Sequence, residues 1–282
     1  MIIFRRLMKS KVALAAPESK DTDETLKDRY EGVVHHVSCA TVQLCRSAFS
    51  RRFFLSRGAL VVTLLCASAL MPFNVALAVP VNIGDAAAAA TAYHNSGAYE
   101  REFTSVIQEA SEWVRLRAAH VSRPALVLDI DETSLSNWPE MAANQFAYFR
   151  EGRCDTLPKG PCGVEAWEQG AKAEAFASTL ALYTMAKQQN VAVFFVTGRY
   201  EHERSETAHN LEAAGYRNWA GLVLRPDGSH TPSASDYKSA ARQKIEQDGY
   251  HIIANIGDQP SDLVGGHAER GFLLPNPFYR VP

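Results

Sequence analysis

The run Ala125-Leu126-Val127-Leu128, ending directly in Asp129-Ile130-Asp131-Glu132-Thr133, constrains this chain more than any other stretch. A short unbroken apolar run fits a strand buried on both faces, as in a parallel sheet, rather than one with a wet face. Two carboxylates placed two apart at its end repel each other and are costly to desolvate. A site that binds a cation and uses one acid as nucleophile and the other as proton donor gives both a purpose. Solvated acids at a polar strand end are the plainer alternative.

Further strand-like runs follow at Val191–Val196, Leu222–Leu224, His251–Ile256 and Phe272–Leu274. Between them, apolar spacing and cap signals predict helices over Gly97–Ala119, Ala171–Gln188, Glu203–Ala214 and Ser235–Gln247. Strands alternating with helices imply an α/β fold, a parallel sheet with helices on both faces. Ligands of such sheets sit beyond the carboxyl ends of the strands. Residues 79–92, small and Ala-rich, read as a flexible lead-in, and 134–170 as an aromatic, loop-rich stretch.

Charge divides the chain. Residues 1–78 carry 11 Lys/Arg and 6 Asp/Glu, whereas 79–282 carry 18 and 25, a net of −7. No basic run tracks a nucleic-acid backbone, so nucleic acid is not an expected partner. Arg51-Arg52 precede an apolar stretch from about Ala59 to Met71, and Ala76-Leu77-Ala78 supplies a small-x-small cleavage pattern. Together they predict a cleaved export signal, cut after Ala78, with membrane contact only during export to the periplasm or beyond. Ser50-Arg51-Arg52-Phe53-Phe54-Leu55 is similar to a twin-arginine signal, and an ordinary Sec signal fits equally. Residues 1–49 read as a long leader or an early start assignment. Beyond residue 78 only Cys154 and Cys162 remain, bracketing a Pro/Gly-rich loop, and an oxidising compartment predicts their disulfide.

Four segments at strand ends carry the chemistry. Asp129-x-Asp131-x-Thr133 is the first. Thr197-Gly198-Arg199 offers a hydroxyl and approachable backbone N–H groups, which suit phosphate oxygens. Lys238, early in its helix, can neutralise phosphate and a neighbouring carboxylate. Asp258 and Asp262, four apart in Gly257-Asp258-Gln259-Pro260-Ser261-Asp262, suit a hard cation such as Mg²⁺. Lys244 competes for the phosphate role, but six helical residues rotate it about 240° from Lys238.

These segments, in this order, resemble the haloacid dehalogenase (HAD) superfamily, and within it the secreted acid phosphatases of subfamily IIIB. The matching stretches are Leu126–Pro139, Trp167 to Arg199, Tyr237 to Leu263 and Phe272–Tyr279. The resemblance implies a HAD-like Rossmannoid sheet with a small cap, from segments near 95–120 and 134–170. It implies hydrolysis of phosphomonoesters through an aspartyl-phosphate on Asp129, with Asp131 as acid and then base. Thr197, Gly198 and Lys238 would bind the phosphoryl group. Mg²⁺ would lie on Asp129, the Asp131 carbonyl, Asp258 and Asp262. Arg199 would either touch substrate or pair with a nearby acid. Substrate would be a small nucleotide, sugar or aryl phosphate. Trp138, Phe146, Tyr148 and Phe149 either stack on a leaving group or form the core of the cap. A non-catalytic storage or binding protein on the same fold is the alternative, and a 5′-nucleotidase-type specialist a narrower one.

Overall fold

The computed structural model describes residues 80–228 and 233–281, so the expected leader and signal peptide lie outside the described residues. Strand β1 (Pro124–Leu128) is the centre of a five-stranded sheet among these residues. The others are β4 (Ala192–Tyr200), β5 (Gly221–Arg225), β6 (His251–Gly257) and β7 (Gly271–Leu273), in the order β5-β4-β1-β6-β7 and all parallel. The apolar run of β1 is unbroken because both of its faces are covered. Leu126 and Leu128 join one core with α2 (Ala98–Ala118) and α5 (Ala177–Gln188). Ala125 and Val127 join another with Tyr237 and Ile245 of α7 (Ala234–Gln247). Helix α6 (Arg204–Ala213), which follows β4, contributes Leu211 to the first core. None of the described helices is long and apolar enough to cross a membrane.

Helix α2 presents Tyr99, Phe103, Ile107, Ala110, Val114 and Ala118 on one stripe, spaced three or four apart. All six are buried in the core, so this helix forms a layer against the sheet. The Trp113 indole N–H donates to the Ile253 carbonyl of β6 at 2.7 Å, fixing the helix over the sheet.

Two local expectations need correction. Most of the lead-in at 79–92 belongs to helix α1 (Ile83–Asn95), capped by the Asn82 Oδ1 accepting from the Gly84 N–H at 2.9 Å. Its alanines are strong helix formers, and Ala90 and Tyr93 dock on the core while His94 stacks on Trp138 at 3.4 Å between ring centroids. Residues 171–176 are not helical. Ala171 has φ 49°, and β3 (Glu174–Ala175) pairs antiparallel with β2 (Leu135–Ser136). The Asn210 amide bridges both main-chain groups of Ala173 at 3.1 and 2.7 Å, so tertiary hydrogen bonds override the helical preference of these residues. The stretch 134–170 also contains α3 (Trp138–Ala143) and α4 (Val164–Gly170), joined by a loop that the Cys154–Cys162 disulfide closes.

Candidate active site

The carboxyl ends of β1, β4 and β6 open into one cavity of about 570 Å³. Asp129, Asp131, Gly198, Lys238, Asp258 and Asp262 all line it. Thr197, one residue from Gly198, is fully buried behind the wall, where its hydroxyl accepts from the Arg199 N–H at 3.2 Å. A side chain at Gly198 would project into open space, so the backbone there is accessible from the cavity. Gly257 serves a different need: a Cβ there would clash with the Asp262 carboxylate, which packs directly over that backbone.

Asp129 follows β1 immediately, its N–H donating to the Ile256 carbonyl at 3.0 Å. Its carboxylate, with those of Asp258 and Asp262, offers oxygens within 4.8 Å of one another, all buried. Lys238 Nζ donates to Asp129 at 2.5 Å and to Asp262 at 2.6 Å. Burial pushes Asp129 well above the usual carboxylate range, and Asp262, Asp258 and Asp131 add to this against the pull of Lys238. Asp258 is raised to about 6, again by burial first and then by Asp262. Burial disfavours the charge on Lys238, but its two carboxylate partners outweigh that and raise its pKa. Three oxygen donors crowded in this way suit a hard cation by their chemistry, since a divalent cation would hold all three ionised. Lys244, the competing lysine, is exposed and pairs with Asp248 at 2.6 Å, one helical turn on.

Asp131 is in a different environment. Arg199 holds it through Nη2 at 2.6 Å and Nε at 3.1 Å, and the Asn137 amide donates at 2.9 Å. Burial raises its pKa, but the guanidinium more than compensates, and the net shift is downward. Arg199 is itself buried and pairs with Asp131, and it also contributes to the lining of the cavity. Beside it Glu168 is raised to about 10, by burial and by its contact with Glu203, although Arg199 opposes the shift.

Sequence reasoning assigned no role to Glu168, Gln259 or Asn276. Glu168 and Gln259 line the cavity, and Asn276 reaches Asp258 from behind. Asn276 falls in the stretch Phe272–Tyr279, and an Asn between two prolines is a turn signal that could have singled it out. The outer wall comes from 137–168, with Met141, Phe146, Tyr148 and Trp167 among its lining residues. Phe146 also stacks on Phe278 at 5.7 Å and Trp138 packs at 6.0 Å from Phe146, so these rings form a small aromatic core as well.

A parallel α/β sheet with clustered carboxylates and a lysine at its strand ends is the arrangement of a HAD-type hydrolase. The chain belongs to the HAD superfamily, subfamily IIIB, the acid phosphatases, whose family model matches residues 52–282. Its enzyme class is that of the phosphoric monoester hydrolases. It is 35% identical over 185 residues to acid phosphatase 1 of Solanum lycopersicum, covering 65% of this chain and 69% of that protein. It is 34% identical over 157 residues to vegetative storage protein 1 of Arabidopsis thaliana, 55% of each chain. The class C acid phosphatase from Bacillus anthracis shares the fold, with a TM-score of 0.56 at 20% identity over 70% of this chain and 86% of that one.

Proposed function

We propose that this chain is an exported, Mg²⁺-dependent phosphatase for small phosphomonoesters that works through an aspartyl-phosphate on Asp129. The observation that carries this reading is the buried triad Asp129, Asp258 and Asp262 with Lys238 set between two of its members. Asp129, Asp258, Asp262 and the Asp131 carbonyl would hold the cation, whose charge lets a carboxylate meet a phosphate dianion and polarises a phosphoryl oxygen. Lys238 and the Gly198 N–H neutralise and position the phosphoryl oxygens, and the Thr197 hydroxyl, having accepted from Arg199, keeps its own proton to donate.

The Asp129 carboxylate attacks phosphorus, the P–O bond to the leaving group breaks, and Asp131 gives its proton to the departing alkoxide. Asp131, now ionised, takes a proton from water as that water attacks phosphorus, and the acyl-phosphate bond breaks to release phosphate and regenerate Asp129. Because Arg199 lowers the pKa of Asp131, a more acidic solution is needed to keep that proton in place, so turnover is expected to be higher in mildly acidic than in alkaline solution. Export rests on the signal-like segment ahead of residue 79.

Phosphate release from p-nitrophenyl phosphate, with Mg²⁺ and with EDTA, tests the reading. Turnover that Mg²⁺ supports, EDTA abolishes and Asp129→Asn eliminates is expected; EDTA-resistant turnover would remove the cation from it. The 34% identity to a vegetative storage protein favours a second reading, a storage protein without turnover. No phosphate release from any aryl, sugar or nucleotide phosphate would establish that one instead.

A further inference from the structure

The stretch after β7 has no part in the chemistry described so far, yet it reaches the centre of the site. Asn276 Nδ2 donates to Asp258 Oδ2 at 2.6 Å across eighteen residues of sequence. Gln259 Nε2 donates to the same oxygen at 2.7 Å. Neither amide is free to turn over. Asn276 Oδ1 accepts from the N–H groups of Phe278 at 2.8 Å and Tyr279 at 3.4 Å, so its nitrogen must be the end that faces Asp258. Gln259 Oε1 accepts from the Val281 N–H at 3.1 Å, which orients the second amide in the same way. Main-chain donors of residues 278–281 therefore fix two side-chain amides, and these fix one carboxylate oxygen.

We infer that Asn276 and Gln259 are positioning residues for the cation site, setting the orientation of Asp258 before any ion arrives. Three observations and one general rule support this role over simple turn formation. Both amides address Oδ2 and, among the described residues, leave Oδ1 with only the Thr133 hydroxyl at 3.5 Å. Both are donors, so they fit Asp258 only as an acceptor, the form a metal ligand takes. Asp258 and Gln259 are both buried, so the contacts at Oδ2 are made largely away from bulk solvent. A ligand already held in place loses less freedom when it binds, and such outer partners typically contribute 10–100-fold to metal affinity.

The inference rests on the cation reading above, and its test separates the two. Mg²⁺ is titrated calorimetrically into the purified full chain without substrate, and thermal melting is followed in EDTA. Asn276→Ser keeps an oxygen that can accept from the Phe278 N–H but cannot reach Asp258. It should weaken Mg²⁺ binding about 10-fold, with a melting point in EDTA within a few degrees of the parent. Gln259→Met keeps the volume and removes both amide contacts, and it should weaken binding to a similar extent. Normal Mg²⁺ affinity in both variants would overturn the inference and leave the cation reading intact. Failure of the unaltered protein to bind Mg²⁺ would overturn both. Affinity lost only in proportion to melting point would reduce Asn276 and Gln259 to structural residues and overturn the inference as well.

Discussion

At the floor of the cavity Lys238 lies between Asp129 and Asp262, with each of these side chains less than a tenth exposed. The outer wall is made of rings and long side chains on and beside α3 and α4, which a disulfide-closed loop joins, and Tyr148 there is 75% exposed. The floor uses opposite charges at short range in a low-dielectric setting, where each group depends on the protonation state of its neighbours. The wall uses apolar contact and chain crosslinking, which tolerate substitution and change of solvent far better. The groups proposed for the chemistry are therefore concentrated where a single atom matters, and the surface above them is one that can vary.

The strongest test of this division is Asp129→Asn, which takes the proposed nucleophile and a proposed metal ligand from the floor together. Steady-state turnover should fall by on the order of 10⁴-fold or more for every substrate. Near-normal turnover in this variant would remove the whole mechanism. Next is Asp131→Asn, which keeps the backbone carbonyl but has no proton to give. Single-turnover phosphorylation should slow about 10²–10⁴-fold with an alkyl phosphate and less with an aryl phosphate, whose leaving group needs little protonation. Equal losses would show that Asp131 is not the leaving-group acid.

Arg199 tests whether the floor's electrostatics extend to pH dependence. Its guanidinium favours the ionised form of Asp131, so Arg199→Met should raise the pKa of that acid. The proton is then kept to higher pH, and the alkaline limb of kcat/KM should move upward by roughly one unit or more. The acid limb, where Asp129 must be ionised to attack, should move less. An unmoved alkaline limb would break the link between Arg199 and the proton. The smallest effect on activity belongs to the wall. Replacing Cys154 and Cys162 together by Ser should cost at most about 2–3 kcal/mol of stability, as expected for a loop of this length. Single-turnover rates with p-nitrophenyl phosphate should stay within about threefold, and a larger fall would show that the wall shapes the floor.

How well the sequence announced these regions follows the same division. Asp129, Gly198, Lys238, Asp258 and Asp262 were legible because parallel strands covered on both faces leave long apolar runs, and each of these residues follows such a run or begins the helix after one. Lys238 separated from Lys244 because helical rotation places only one of them toward the strand ends. Helix α1 was obscured because its Ala-rich sequence has the low complexity of a linker, and its docking depends on Tyr93 and His94 meeting rings far away in sequence. The turn at 171–176 depends on the Asn210 side chain, so no local pattern announces it. The amides on Asp258 were hidden for a similar reason: their meaning lies in which oxygen they face.

The central place of β1 also governs when the site can come into existence. Its neighbours are β4, which begins at Ala192, and β6, which ends at Gly257. A chain emerging from its N-terminus displays Asp129 long before either neighbour is available. Pairing on the β6 side closes a loop of more than a hundred residues, a connection that is slow and entropically costly to form. The strand that carries the proposed nucleophile is thus among the last to be satisfied on both edges. Until then its apolar run is exposed to other chains, and the acids that follow it are separate solvated groups with no shared site.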